Sequence, residues 1–70
     1  MSVNSRKLIV LGKNVRKFRK RASLTQEQLA YKVRVSPTYI GFIEQAQRNP
    51  SLKTLDKIAR ALKVSSKDLL

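Results

Sequence analysis

The residues whose types could do chemistry lie on one side of a short predicted helix, residues 36–45. Advancing about 100° per residue turns Ile40 and Ile43 toward the same side, where they would be buried. The opposite side carries a hydroxyl, a glycine, an aromatic ring and an amide: Thr38, Gly41, Phe42 and Gln45. Such groups can hydrogen-bond to base edges or pack on thymine methyls. The chemistry that this pattern indicates is recognition of a nucleic acid.

The composition argues against catalytic and metal-binding chemistry. The sequence has no Cys and no His, which removes disulfides, zinc fingers, thiol nucleophiles and histidine bases. The acidic residues are scattered, and their spacing does not suggest a carboxylate pair: Glu27, Glu44, Asp56 and Asp68. We therefore expect no enzyme, no metal site and no cofactor.

The charge balance points to a polyanionic partner. Lys and Arg number 16 against 4 Asp and Glu, a formal net charge of +12. That excess fits a nucleic acid or an anionic membrane surface. Half of the basic residues fall in the predicted first helix, with no acid among them: Arg6, Lys7, Arg16, Arg19, Arg21, Lys13, Lys17 and Lys20. Most of these are expected to be solvated, and together they form a diffuse phosphate-attracting surface.

Apolar runs are too short for a membrane segment. The longest at the start of the chain, Leu8 to Leu11, is shorter than a secretory signal requires, and none approaches the ~18 residues of a membrane span. The expected location is the cytoplasm, with association to the nucleoid.

Two helix starts place the recognition face. Thr25 and Gln28 have the spacing of a capping box, which predicts a helix from residue 26. Ser36 followed by Pro37 predicts a second start, because proline is well accommodated at the first helical position. The two helices are joined by a tight turn.

The remaining chain predicts three more helices in one small all-α domain. A flexible segment, residues 1–5, precedes a first helix from about Arg6 to Ala22. Ser51 begins a fourth helix whose apolar stripe is expected to be core: Leu52, Leu55, Ile58, Ala59 and Leu62. Ser65 and Asp68 begin a short last helix. The sequence thus predicts a compact five-helix domain over residues 6–70.

Read together, four segments carry a family resemblance: LGKNVRKFR, LTQEQLAYKV, SPTYIGFIE and RNPSLKTLDKIARALKVSSKDL. In this order they resemble the Cro/C1-type (XRE) helix-turn-helix family, the lambda-repressor-like DNA-binding domains, from about Leu11 to Leu69. Within it, LAYK, TYI, IE and RN look most like the controller proteins of restriction–modification systems. The resemblance implies a transcriptional regulator that inserts helix 3 into the major groove of a palindromic operator as a homodimer, with RNA polymerase as a further candidate partner.

The resemblance also assigns roles to individual residues. It implies phosphate contact by Gln26, places Ser36 among the DNA-binding residues, and implies base reading by four residues of helix 3: Pro37, Thr38, Gly41 and Phe42. It further implies contacts to the DNA backbone or to bases from Tyr39, Gln45, Arg48 and Asn49. Arg19 and Glu44 occupy the positions of an interhelical ion pair in lambda-type relatives.

Two of these aromatic residues keep alternatives open. Phe42 either packs on thymine methyls, completes a partner surface or folds over an edge of the core. Tyr39 either donates its hydroxyl to a phosphate or is partly buried beside helix 4.

The chain departs from the family pattern at three helix ends. Ser23, Arg34 and Ala46 stand where glycine is usual. A left-handed backbone at a non-glycine residue costs roughly 1 kcal/mol, so either the turns are remodelled or the core absorbs this cost.

The predicted dimer surface is the C-terminal end, where Leu69 and Leu70 are expected to have few partners within the chain. An alternative function is an antitoxin or protein-interaction adapter of the same fold, in which DNA binding is secondary. A non-specific RNA or nucleoid binder is a third, but four aromatic residues give no stacking platform: Phe18, Phe42, Tyr31 and Tyr39.

Overall fold

The computed structural model describes the backbone of residues 3–70 and the side chains from Arg6 onward. These residues form five α-helices and no strand, which confirms the all-α prediction. The helices are α1 Val3–Arg21, α2 Gln26–Val33, α3 Pro37–Glu44, α4 Leu52–Leu62 and α5 Ser66–Leu69. No helix among them is long and apolar enough to span a membrane.

The first helix differs from its predicted bounds. It begins at Val3 rather than near Arg6 and ends at Arg21, which leaves Ala22 exposed beyond it. The predicted flexible segment, residues 1–5, lies outside the described residues at positions 1 and 2, and its last three residues are helical.

Side-chain caps fix where α2 and α3 begin. The Thr25 hydroxyl oxygen accepts a 3.0 Å hydrogen bond from the Gln28 backbone N–H, and the Gln28 amide oxygen accepts one of 2.8 Å from the Thr25 N–H. The Ser36 hydroxyl oxygen accepts from the Tyr39 N–H at 3.1 Å, with Pro37 as the first helical residue. Both helices therefore begin directly after the capping residues that the sequence predicts.

Left-handed residues make the turns tight. Ser23, Arg34 and Ala46 have φ angles of 58°, 62° and 61°, so the turns keep the backbone shape that glycine usually supplies. Lys63, with φ of 60°, is a fourth such position that the sequence analysis did not identify. Arg34 lies in the turn between α2 and α3, where the backbone N–H of Val35 donates to the Ala30 carbonyl at 3.0 Å.

The core gathers buried apolar side chains from all five helices: Leu11, Val15, Leu29, Ala30, Val33, Ile40, Ile43, Leu55, Ile58, Ala59, Leu62 and Leu69. Two predictions about leucines are wrong. Leu52 is 84% exposed, because it is the first residue of α4 and lies beyond the edge of the core. Leu69 is 0% exposed, because α5 folds back onto α1, where its carbonyl accepts a 3.0 Å hydrogen bond from the Asn14 amide.

The backbones of α1 and α3 approach each other closely at Gly12. A Cβ at this position would lie 2.6 Å from the Ile43 carbonyl oxygen and 2.8 Å from that of Glu44. Glycine is needed here to let two helix backbones meet. This contact fixes α3 against the rest of the bundle.

Candidate nucleic-acid interface

The open side of α3 and the first turn of α2 form one shallow groove. It is lined chiefly by Gln26, Pro37, Thr38, Gly41, Phe42 and Gln45. Ser36, Pro37, Thr38 and Gln45 are exposed, whereas Ile40 and Ile43 on the other side are buried. The structure therefore brings together Gln26 and the predicted base-reading residues of α3, although they are distant in sequence.

The sequence analysis placed Gly41 on the open side of the helix, but in the structure it is not exposed. It is buried, because the Gln26 side chain lies over it. A Cβ on Gly41 would have the Gln26 Oε1 and Nε2 atoms at 3.7 and 3.8 Å. The amide group of Gln26, which belongs to α2, therefore covers the part of the α3 surface where a side chain at position 41 would lie.

Beneath this groove, Arg19 and Glu44 form the pair that the resemblance implies. Arg19 Nε donates to Glu44 Oε2 at 2.6 Å, and Arg19 Nη2 donates to Glu44 Oε1 at 3.0 Å. The two side chains are 10% and 4% exposed. Arg19 Nη1 donates to the Leu24 carbonyl at 2.9 Å, so the guanidinium of this α1 residue joins α3 to the loop between α1 and α2. Hydrogen bonding to Glu44 raises the pKa of Arg19 above its ordinary value, against the lowering effect of burial.

Glu44 also holds Gln26. The Gln26 Nε2 donates to Glu44 Oε1 at 3.1 Å, the same oxygen that accepts from Arg19 Nη2. Among the described residues, no buried side-chain nitrogen or oxygen lacks a hydrogen-bond partner. This contact was missed by the sequence analysis, because no local pattern links residues 26 and 44.

Phe42 has a partner from the loop after α3. The Arg48 guanidinium carbon lies 5.6 Å from the centre of the Phe42 ring, within the range of a cation–π interaction. Phe42 is half-buried but is not among the partly buried side chains packed on the core. Of its three interpretations, folding over a core edge is therefore wrong. The ring and Arg48 form a surface unit, and Asn49 beside it is exposed.

Tyr39 has a different environment from the rest of α3. Its side chain is half-buried and packs against the core. The partial burial that the sequence analysis left open is therefore present.

Most of the positive charge of the described residues has no acidic partner. Only two ion pairs occur among the described residues, the buried one and an exposed contact of 3.9 Å between Asp56 and Arg60. Apart from Arg19, the basic residues of α1 are exposed. Within residues 3–70 no group of acidic, His or Cys side chains could hold a metal ion.

Comparison with known proteins gives consistent matches across nearly the whole chain. The profile of the Helix-turn-helix family (HTH_3) matches residues 15–69. The control protein C.BamHI of Bacillus amyloliquefaciens is 41% identical over 63 residues, which span 89% of this chain and 78% of that protein. The control protein C.SmaI of Serratia marcescens is 44% identical over 61 residues, 87% and 73% of the two chains.

Solved structures agree with the sequence matches. The restriction-modification controller protein C.AhdI from Aeromonas hydrophila superposes with a TM-score of 0.86 at 35% identity. The superposition covers 90% of this chain and 96% of that one. Both the helical architecture and the sequence pattern are therefore shared with these proteins.

Proposed function

The chain belongs to the Helix-turn-helix (HTH_3) family of DNA-binding transcriptional regulators, and we propose that it binds a palindromic operator as a homodimer by inserting α3 into the major groove. The observation that carries this proposal is the exposed side of α3, where Pro37, Thr38 and Gln45 stand clear of the core. A helix buried on one side and polar on the other fits the width of the major groove.

The roles of the surrounding residues follow from this docking. With α3 in the groove, α2 crosses the phosphate backbone. Thr38 offers a hydroxyl or a methyl to a base, and Arg48 offers a planar fork to phosphate or guanine while it rests on Phe42. The exposed cations of α1 attract phosphates without reading sequence.

The homodimer is proposed from the symmetry of such operators. Two copies of α3 must face successive major grooves, about 34 Å or 10 bp apart. Because Leu69 is buried, it is removed from the proposed interface, whereas Leu70 is 66% exposed and stays in it. Leu52, 84% exposed, is a further apolar side chain that a partner would cover.

Similarity to control proteins supports a narrower role. We propose that the chain acts in the cytoplasm on nucleoid DNA as a controller of the restriction–modification type, with RNA polymerase as its further partner. Operator occupancy would then either block polymerase or contact it.

Selection from random DNA tests the proposal. Wild-type protein should enrich duplexes with two-fold symmetry, and binding to them should survive excess unrelated duplex. Thr38→Ala should lose discrimination between bases, whereas Lys17→Ala should weaken binding to all duplexes alike and reduce its salt dependence. Enrichment of no sequence, or of single-stranded RNA in a parallel selection, would contradict the proposal.

A further inference from the structure

The Gln26 amide is fixed in direction by Glu44. An ionised carboxylate can only accept hydrogen bonds, so the amide must turn its NH₂ group, and not its oxygen, toward Glu44 Oε1. The other oxygen of that carboxylate is taken by Arg19 Nε at 2.6 Å. The Arg19–Glu44 pair therefore fixes the orientation of the Gln26 amide group.

The amide thus held is placed where a base-reading side chain would be. Both of its polar atoms lie over Gly41, within 4 Å of the position that a Cβ would take. Gln26 is half-buried and lines the groove with Thr38 and Phe42. Position 41 itself offers no side chain, so the Gln26 amide supplies polar groups at this point of the α3 surface, together with Gln45 Nε2, which lies 3.9 Å from the same Cβ position.

The groups left free on the amide define a partner. One Nε2 hydrogen is given to Glu44, which leaves one N–H donor and the Oε1 acceptor. In the major groove, adenine is the base that presents an acceptor and a donor side by side, N7 and the N6 amino group. Guanine presents two acceptors, and would leave Oε1 facing another acceptor.

We propose that Gln26, held over Gly41 by Glu44, is a specificity-determining residue that reads an adenine, with Glu44 as its positioning residue. The inference rests on the proposed function and deepens it. It replaces the simple phosphate contact implied for Gln26 by the family resemblance. A phosphate contact would carry no sequence information, so the two roles are distinguishable.

The first test uses chemical changes in the DNA, with the protein unaltered. In the duplex that wild-type protein selects from random DNA, each adenine is replaced in turn by 7-deazaadenine, which lacks the N7 acceptor. Wild-type protein should lose about 5- to 100-fold in affinity at one adenine of each half-site. Gln26→Ala should lose a similar factor on the unmodified duplex and nothing further at that adenine.

The second test separates positioning from folding. Glu44→Gln should lower affinity for the selected duplex when Gln26 is present and have little further effect in a Gln26→Ala background. Gln28→Ala is the matched control, because that amide caps Thr25 on the same helix and does not reach Glu44. It should leave the base preference unchanged. Circular dichroism confirms that each variant is folded at the assay temperature.

Three outcomes would overturn the inference. One is a Gln26→Ala variant that weakens all single-base variants of the duplex equally, which identifies a phosphate contact. Another is a loss of DNA affinity on Glu44→Gln that is as large in the Gln26→Ala background as in the wild-type background. If wild-type protein selects no sequence at all, the proposed function fails as well, whereas the first two outcomes leave that function intact.

Discussion

The two glycines of the chain give opposite predictions for the same substitution. Gly12→Ala would place a Cβ 2.6 Å from the Ile43 carbonyl oxygen and 2.8 Å from that of Glu44, where ordinary contact begins at 3.4 Å. The obstructing atoms are backbone, so no rotamer change relieves the overlap. α1 and α3 would have to separate by roughly 0.8 Å, which strains the core around them.

The expected magnitude follows from two opposing terms. Overpacking of this kind costs about 1–3 kcal/mol, and the backbone origin of the overlap favours the upper half of that range. Alanine returns about 1 kcal/mol through its better helix propensity. We therefore expect Gly12→Ala to lower the free energy of unfolding by about 1–2 kcal/mol.

Gly41→Ala is the matched control, because it is also a glycine inside a helix. Its Cβ would meet only the ends of the Gln26 and Gln45 side chains, at 3.7 to 3.9 Å. We expect this variant to gain about 0.5–1 kcal/mol from helix propensity. Equilibrium unfolding in urea measures both, with unchanged m-values as the check on two-state behaviour. A Gly12→Ala protein as stable as Gly41→Ala would refute the close approach of α1 and α3.

Three further predictions concern turns, the buried pair and acid sensitivity. Arg34→Gly should raise the free energy of unfolding by roughly 1 kcal/mol, because φ there is 62°; a lower melting temperature would contradict this. Glu44→Ala or Arg19→Ala should each cost roughly 3 kcal/mol by orphaning a buried charge, with the double variant losing less than the sum, as a double-mutant cycle in urea would show. Hydrogen bonds from the Ser65 N–H and hydroxyl lower the pKa of Asp68, so the stability it contributes is present above the unfolded pKa of about 3.9 and is lost as the pH falls through the lower folded value. Asp68→Asn should remove this part of the acid dependence of the melting temperature, and an unchanged pH profile would show that the carboxylate contributes nothing.

Local chemistry was enough to predict most of the helix framework. Thr25 and Ser36 cap the helices that they were expected to cap, since the groups involved are at most three residues apart. The left-handed turns at three non-glycine residues were likewise foreseeable from the family pattern. Lys63 was not, because lysine at a helix end carries no local signal for positive φ.

The sequence could not predict the burial of side chains when that burial depends on contacts with distant parts of the chain. Leu52 continues the apolar spacing of α4 as well as Leu55 does, yet only the second reaches the core, because periodicity does not say where a core ends. Leu69 was expected to have few partners within the chain and is fully buried, because α5 folds back onto α1. The same holds for the site, where the amide of Gln26 covers Gly41 from another helix. A glycine within the pattern of α1 was the one available signal for the approach at Gly12.

The buried ion pair makes more sense as a device for placement than for stability. Removing two charges from water usually costs about as much as their attraction returns, and an apolar pair of similar volume would often serve the core as well. A pair of apolar side chains, however, has no acceptor for the Gln26 amide and no donor for the Leu24 carbonyl. Arg19 and Glu44 thus tie the end of α1, the start of α2 and the last turn of α3 into one hydrogen-bonded junction beneath the groove. In so small a domain, that directional junction holds the exposed face of α3 at a fixed angle in a way that non-directional packing alone does not.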